Sequence, residues 1–196
     1  MEGEEFVIVN TTDEHLKYAQ DVVDAIDSAA ADGKSGLARR TQEYISSKIS
    51  GGKGVIALKL TYEGEKVIKE EFAGFCYIES WEYNLYVANS GLIVKPEFRG
   101  GGLARAIKQA ACELSMKKFP GAKIFGLTTS PAVRKINESL GYKVVPYRNI
   151  TRDINFWKGC AGCAHFHTLC DNGFENCLCI GMVFDPALRM PDNIQY

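Results

Sequence analysis

The sequence predicts a mixed α/β domain, antiparallel in its front half and βαβ-like in its back half. Two observations carry this. Strand-like patterns are gathered between residues 55 and 94 and joined by a Glu63-Gly64 turn signal. After residue 103, helix and strand patterns alternate, as a crossover unit requires. A third observation divides the chain. Of its seven cysteines, all but Cys76 and Cys112 fall between Cys160 and Cys179. Residues 1–150 therefore read as the main domain, and residues 151–196 as a Cys-rich segment whose final strand completes it.

In chain order, Phe6 to Val9 is a short apolar strand. Thr12 or Asp13 caps a helix whose apolar stripe is Leu16, Ala19, Val22, Val23 and Ile26, stopped at Asp32-Gly33. A second helical stretch runs from Leu37 to Ile49 and ends at Gly51-Gly52. Val55 to Tyr62 and Lys66 to Glu79 form a hairpin, and Leu85 to Val94 is a third strand. Leu103 to Phe119 is a helix with Leu103, Ile107, Ala110, Ala111 and Leu114 on its apolar face, broken by Pro120-Gly121. Ile124 to Thr128 is a strand. Pro131 opens a helix where its missing N–H costs nothing, and Gly141 ends it. Lys143 to Val145 begin another strand, and Leu178 to Phe184 are expected to form the last.

Composition narrows the function. The chain has 196 residues, 46% of them hydrophobic, enough for a sizeable core. A net charge of −1 gives no basic field for nucleic acid. No apolar run reaches the roughly 18 residues of a membrane span. The acidic start, Glu2 to Glu5, lacks the apolar region of a secretory signal. A cytoplasmic protein, monomer or homodimer, without nucleic-acid or membrane partners is the expectation. In a reducing compartment the cysteines are thiols or metal ligands rather than disulfides.

The junction between residues 94 and 103 carries the chemistry. Gly100, Gly101 and Gly102 permit backbone conformations closed to other residues. They precede a helix whose first N–H groups lack partners and whose dipole favours an anion. Arg99 adds a positive charge. A phosphate or pyrophosphate is the natural ligand. The spacing is not that of a P-loop, and Arg105 stands where a dinucleotide fingerprint needs its third glycine. A flexible loop that merely caps a helix is the competing reading.

Residues 94–104 resemble the acetyl-CoA loop of the GCN5-related N-acetyltransferases (GNAT). That pattern is Arg or Gln, two residues, Gly, one residue, then Gly or Ala; Arg99, Gly102 and Ala104 match it. Leu140-Gly141-Tyr142, one strand and one helix later, match the family's order. The resemblance covers roughly residues 5 to 150. It implies a mostly antiparallel, twisted sheet of about six to seven strands flanked by helices, with the two central strands splayed. It also implies acetyl-CoA as cosubstrate. Leu92, Ile93 and Val94 would hold the pantetheine arm. Arg99, Gly100, Gly101, Gly102, Leu103 and Ala104 would hold the pyrophosphate, and Ser130 and Asn137 would approach the arm from the following helix. The implied function is an N-acetyltransferase that moves an acetyl group to a primary amine of a small molecule, amino acid or peptide.

Two departures stand out. Many family members place a Tyr, the acid to the leaving thiolate, at the position of Asn137. Many place a Glu on the strand before the loop, where this chain has Ala88, Asn89, Ser90 and Gly91. Glu79 and Glu82 are the substitutes nearest to hand as base, and Tyr142 or Tyr147 as acid. Direct attack with solvent-relayed protons needs neither. The departures also admit an alternative, a non-catalytic CoA-binding or interaction module with a structural metal knuckle. Trp81, Tyr83 and Tyr86 can line an acceptor pocket or simply pack.

In the tail, Cys160 and Cys163 have a Cys-x-x-Cys spacing and Cys177 and Cys179 a Cys-x-Cys spacing. Four sulfurs can close a structural zinc site, with Cys170, His165 or His167 as substitutes. Free thiols, a Cys160–Cys163 redox disulfide and an iron–sulfur cluster compete with zinc.

Overall fold

The computed structural model describes residues 2–189 except 32 and 34. The Asp32 half of the expected helix stop and residues 190–196 of the tail lie outside them. The elements are β1 (Glu2–Asn10), α1 (Ala19–Ala30), α2 (Gln42–Ser50), β2 (Gly54–Glu63), β3 (Lys66–Trp81) and β4 (Tyr86–Val94). They continue with α3 (Leu103–Lys118), β5 (Lys123–Thr128), α4 (Pro131–Ser139), β6 (Lys143–Val144), α5 (Ile154–Lys158), α6 (Phe166–Asp171) and β7 (Ile180–Phe184). The described strands form one seven-stranded sheet, β1-β2-β3-β4-β5-β7-β6. Every neighbouring pair is antiparallel except β4 and β5.

Two cores sandwich the front half of the sheet, and the strand period of two sorts residues between them. On β2, Ile56 and Leu58 join α1 and α2 through Val22, Ile26, Ile45 and Ile49. Val55 and Ala57 join α3 through Leu103, Ile107, Ala111 and Leu114. Ile107 is fully buried, and Gly74 on β3 leaves room for it: a Cβ there would stand 2.7 Å from Ile107 Cδ1. Ile107→Ala should lower the unfolding free energy by about 2–5 kcal/mol, read by urea denaturation. A loss below about 1 kcal/mol would mean that α3 is not packed as described.

The feature that shapes the function lies between β4 and β5. Their parallel ladder pairs Tyr86 with Lys123, Val87 with Ile124 and Ala88 with Phe125, then stops. On its other side β4 carries a bulge. Phe75 faces Ile93 and Tyr77 faces Ser90, so Gly91 and Leu92 together oppose Cys76. Gly91 has φ +64°, and a Cβ on it would stand 2.6 Å from the Tyr77 ring. Glycine is therefore required on two counts. The bulge bends β4 as β5 runs on, and the two strands part.

Several boundaries differ from expectation. A 3-10 turn, Asp13–Tyr18, precedes α1, and Leu16 is exposed on it. The second helix starts at Gln42, not Leu37. Thr41 Oγ1 accepts the Tyr44 N–H and caps it, while residues 35–40 are drawn away by distant partners. Gly36 N–H donates to Thr129 Oγ1, and Arg39 N–H to the Gly162 carbonyl. The last strand begins at Ile180, leaving Leu178 exposed. No helix among the described residues is long and apolar enough to cross a membrane.

Candidate acyl-CoA site

The parting of β4 and β5 opens a cleft of about 1330 Å³. The glycine loop lies at one side of it. Arg99 Nε donates to the Val94 carbonyl at 2.9 Å, which fixes the arginine against the end of β4. Gly100 and Gly102 have φ of +88° and +82°, and Gly102 caps α3 without a side chain. A Cβ on any of the three glycines would meet nothing within 4 Å. The cradle is open, and backbone conformation rather than crowding demands glycine at 100 and 102. The first bond of α3 runs from Ala106 N–H to the Gly102 carbonyl. The N–H groups before it lack an intrahelical acceptor and carry the positive end of a 16-residue helix.

The same cleft collects unsatisfied polar atoms. Five buried side-chain atoms have no hydrogen-bond partner among the described residues, and four of their side chains, Ser35, Trp81, Asn137 and His165, line this cleft. Such atoms are costly without a partner. Asn137 lies on α4 and is buried; its Nδ2 sits 3.6 Å from Met182 Sδ, and its Oδ1 is the unpartnered atom. Ser130 caps α4 by accepting the Val133 N–H. Glu79 on β3 also lines the cleft, and its carboxylate pairs with Lys48 and, at 3.0 Å, with Lys53.

No family model matches the sequence, and no curated protein does. Solved structures do match. The N-acetylglutamate synthase of Neisseria gonorrhoeae, solved with coenzyme A and N-acetyl-glutamate, superposes with a TM-score of 0.58 at 12% identity over 92% of this chain. This chain spans only 35% of that one. A GNAT-superfamily phosphinothricin acetyltransferase from Sinorhizobium meliloti, solved with acetyl-CoA, gives 0.56 at 12% identity, covering 92% of this chain and 88% of that one. A Mycobacterium tuberculosis protein solved with CoA and a second ligand gives 0.60 at 12% identity, covering 91% and 98%. The chain has the GNAT fold.

Within the GNAT fold, the expected loop and strand residues come together. Leu92, Ile93, Val94, Arg99, Ala104, Ser130 and Asn137 all line the cleft, whereas Gly100, Gly101 and Gly102 are not part of its lining. Leu103 instead turns inward and anchors α3 in the core. The proton handlers divide. Glu79 lines the cleft, but Glu82 does not: it lies in the β3–β4 turn, where Glu82, Tyr83 and Asn84 all have positive φ. Its Oε1 accepts from Thr151 Oγ1 at 2.7 Å and from the Arg152 N–H, so it ties the tail to that turn. Tyr142 is 2% exposed and does not line the cleft; its hydroxyl donates to Asn89 Oδ1 at 2.8 Å. Burial holds its pKa well above the ordinary tyrosine value. Tyr147 donates to the Cys179 carbonyl. Neither tyrosine is placed to protonate a thiolate in the cleft. Of the aromatics, Trp81 lines the cleft, Tyr86 packs against Phe125, and Tyr83 is fully exposed.

Cys160, Cys163, Cys177 and Cys179 also face the cleft, yet the expected zinc cage is not formed. Among the described residues no three His, Cys, Asp or Glu side chains are placed to hold a metal ion, and no disulfide joins the cysteines. Local partners take the sulfurs instead. Cys163 Sγ accepts the His165 N–H. Cys177 Sγ accepts the Cys179 N–H at 3.3 Å and lies 2.9 Å from the Tyr147 hydroxyl. Hydrogen bonding from Cys179, and from the Tyr147 hydroxyl when its one proton turns from the Cys179 carbonyl to the sulfur, lowers the Cys177 pKa below the ordinary thiol value. Alkylation of Cys177 should therefore reach half its limiting rate well below the ordinary thiol pKa of about 8.5. Tyr147→Phe should move that midpoint upward in a pH–rate profile of iodoacetamide labelling. A midpoint that does not move would show that the hydroxyl does not hold the thiolate.

Sequence reasoning missed Lys108. It lies on the buried face of α3, between Ile107 and Ala111, and lines the cleft. The available signal was a lysine inside an otherwise apolar helical stripe.

Proposed function

We propose that the chain is an acyl-CoA-dependent N-acyltransferase with acetyl-CoA as donor. Its acceptor is a primary amine of a small molecule, amino acid or peptide. The observation that carries this is one cleft in which parted strands, the residues flanking the glycine loop, Arg99 and Ala104, and four unsatisfied polar side chains converge. The residues fit the donor. The helix terminus and Arg99 suit a pyrophosphate, which is bound by charge and backbone N–H groups together. Beyond Ala88 and Phe125 the facing edges of β4 and β5 have no ladder between them, and a pantetheine arm with its two amides can take that place. Asn137 Oδ1 suits an amide N–H.

In the reaction the acceptor nitrogen attacks the thioester carbonyl carbon. A C–N bond forms, the C–S bond breaks, and the nitrogen's proton passes to solvent. Of the carboxylates that line the cleft, Asp21, Asp24 and Glu79, only Glu79 lies on the sheet, on β3 opposite Ala88 of β4. Both its oxygens already meet lysine ammoniums, so it would act on the amine through water or after displacing one lysine. Glu79→Gln should lower kcat/KM about tenfold or more while leaving the Kd for acetyl-CoA within about threefold.

The neighbour solved with N-acetyl-glutamate and the one named phosphinothricin acetyltransferase support amino acids and their analogues as first members of an acceptor panel. The deciding experiment is acetyl-CoA with that panel, followed by release of free CoA thiol. Binding with turnover on at least one amine supports transfer. Binding without release across the panel supports the second reading, a CoA-binding module, which the burial of Tyr142 and the Asn137 substitution favour.

A further inference from the structure

Lys108 reaches from α3 to the point where β4 and β5 separate. The last ladder pair is Ala88 with Phe125, and the next residues along each strand are Asn89 and Gly126. Lys108 Nζ stands 3.5 Å from the Asn89 carbonyl, and 3.5 Å from where a Cβ on Gly126 would stand. It thus occupies the fork itself. The residue is 2% exposed and lines the cleft, as do Asn89 and Gly126 beside its nitrogen.

Pairing accounts for little of this placement: the nitrogen's partners are the Asn89 carbonyl and the face of the Tyr142 ring. The titratable groups that face the nitrogen are Cys76 on β3, Cys112 on α3 and the ring of Tyr142, 5.2 Å away. None is a carboxylate. Its hydrogen bond to Asn89 is long for N–H···O. A buried ammonium with so little compensation is costly, and an apolar side chain would fill the same space more cheaply. The charge is compensated once an anion arrives in the fork.

We propose that Lys108 is the cationic partner and proton donor of the departing CoA thiolate. It would take from α3 the role left vacant by Asn137 on α4. The inference rests on the acyltransferase reading of the cleft. As the C–S bond breaks, its electron pair moves to sulfur. A proton passes from the Lys108 ammonium to that sulfur, leaving CoA thiol and a neutral amine. Lys108 then recovers a proton from solvent through the cleft. The sum is acyl-CoA plus amine giving amide plus CoA thiol. Burial also lowers the Lys108 pKa from its ordinary value, which brings it toward that of a thiol and eases the transfer.

The test reads the thiol of bound CoA and needs no acceptor. In wild type, thiolate absorbance should show bound CoA titrating at least about 1.5 pH units below a free thiol's value of about 8.5. Lys108→Met should abolish that shift and weaken CoA binding at pH 8 about tenfold. Acetyl-CoA has no thiolate to stabilise, so both proteins should bind it within about threefold, which also shows that the variant is folded. A wild-type protein that binds CoA without lowering its thiol pKa would overturn the assignment whatever the variant does. A shift that survives Lys108→Met would overturn it too. A wild-type protein that binds neither CoA nor acetyl-CoA would instead overturn the acyltransferase reading.

Discussion

Gly101→Glu should weaken acetyl-CoA binding about 100-fold or more and leave the folded chain almost untouched. Gly101 is the one glycine of the loop without a positive φ. It is exposed, and a side chain there meets nothing within 4 Å. The substitution therefore has no steric or conformational reason to unfold the loop, and Tm should stay within about 2 °C. Its carboxylate would stand in the proposed pyrophosphate cradle. Two like charges about 4 Å apart repel by roughly 1–4 kcal/mol between bulk water and a protein surface, and the pyrophosphate carries more than one. Each 1.4 kcal/mol is tenfold in Kd. Calorimetric titration of both proteins checks this. An unchanged Kd would remove the pyrophosphate from this loop.

Gly91→Ala should act through the fold. The substitution puts a β-carbon 2.6 Å from the Tyr77 ring at a φ of +64°. The left-handed conformation costs a non-glycine residue of order 1–3 kcal/mol, and overpacking adds a similar amount. The expected loss is about 2–5 kcal/mol in urea denaturation, with Tm lower by about 5–15 °C for a chain of this size. Relief of the clash requires β4 to straighten toward β5, which narrows the fork. Acetyl-CoA affinity should therefore fall even at temperatures where the variant is folded. A stable variant with full affinity would show that the bulge does not set the parting of the strands.

The parts of this protein that were legible in its sequence are those decided by local chemistry. The glycine loop announces itself because conformational freedom, a helix start and an arginine occupy consecutive positions. The order of strands and helices was readable because turn residues such as Glu63-Gly64 and Pro120-Gly121 punctuate strong periodicities. What was not legible depends on tertiary placement. Nothing local says that Gly36 and Arg39 are drawn off to bond with Thr129 and Gly162, so that the helix starts only at Gln42. Tyr142 is adjacent in sequence to a family motif, yet its hydroxyl is spent on Asn89 behind the sheet. The cysteines have metal-like spacing, but whether sulfurs converge depends on how Tyr147, Cys179 and His165 engage them. Lys108 is a lysine within the apolar stripe of a helix, and sequence alone does not say where its side chain ends. Only the stop in the β4–β5 ladder shows where its nitrogen lies.

The central claim is that acetyl-CoA lies with its pyrophosphate on residues 99–104 and its arm between the parted strands. Amide hydrogen exchange of the wild-type chain, with and without saturating acetyl-CoA, tests this directly. Slowed exchange is predicted at the start of α3, along β4 from Asn89 to Val94, and at the end of β5 from Gly126 to Thr128. Protection confined to other segments, or none at saturating acetyl-CoA, would contradict the account.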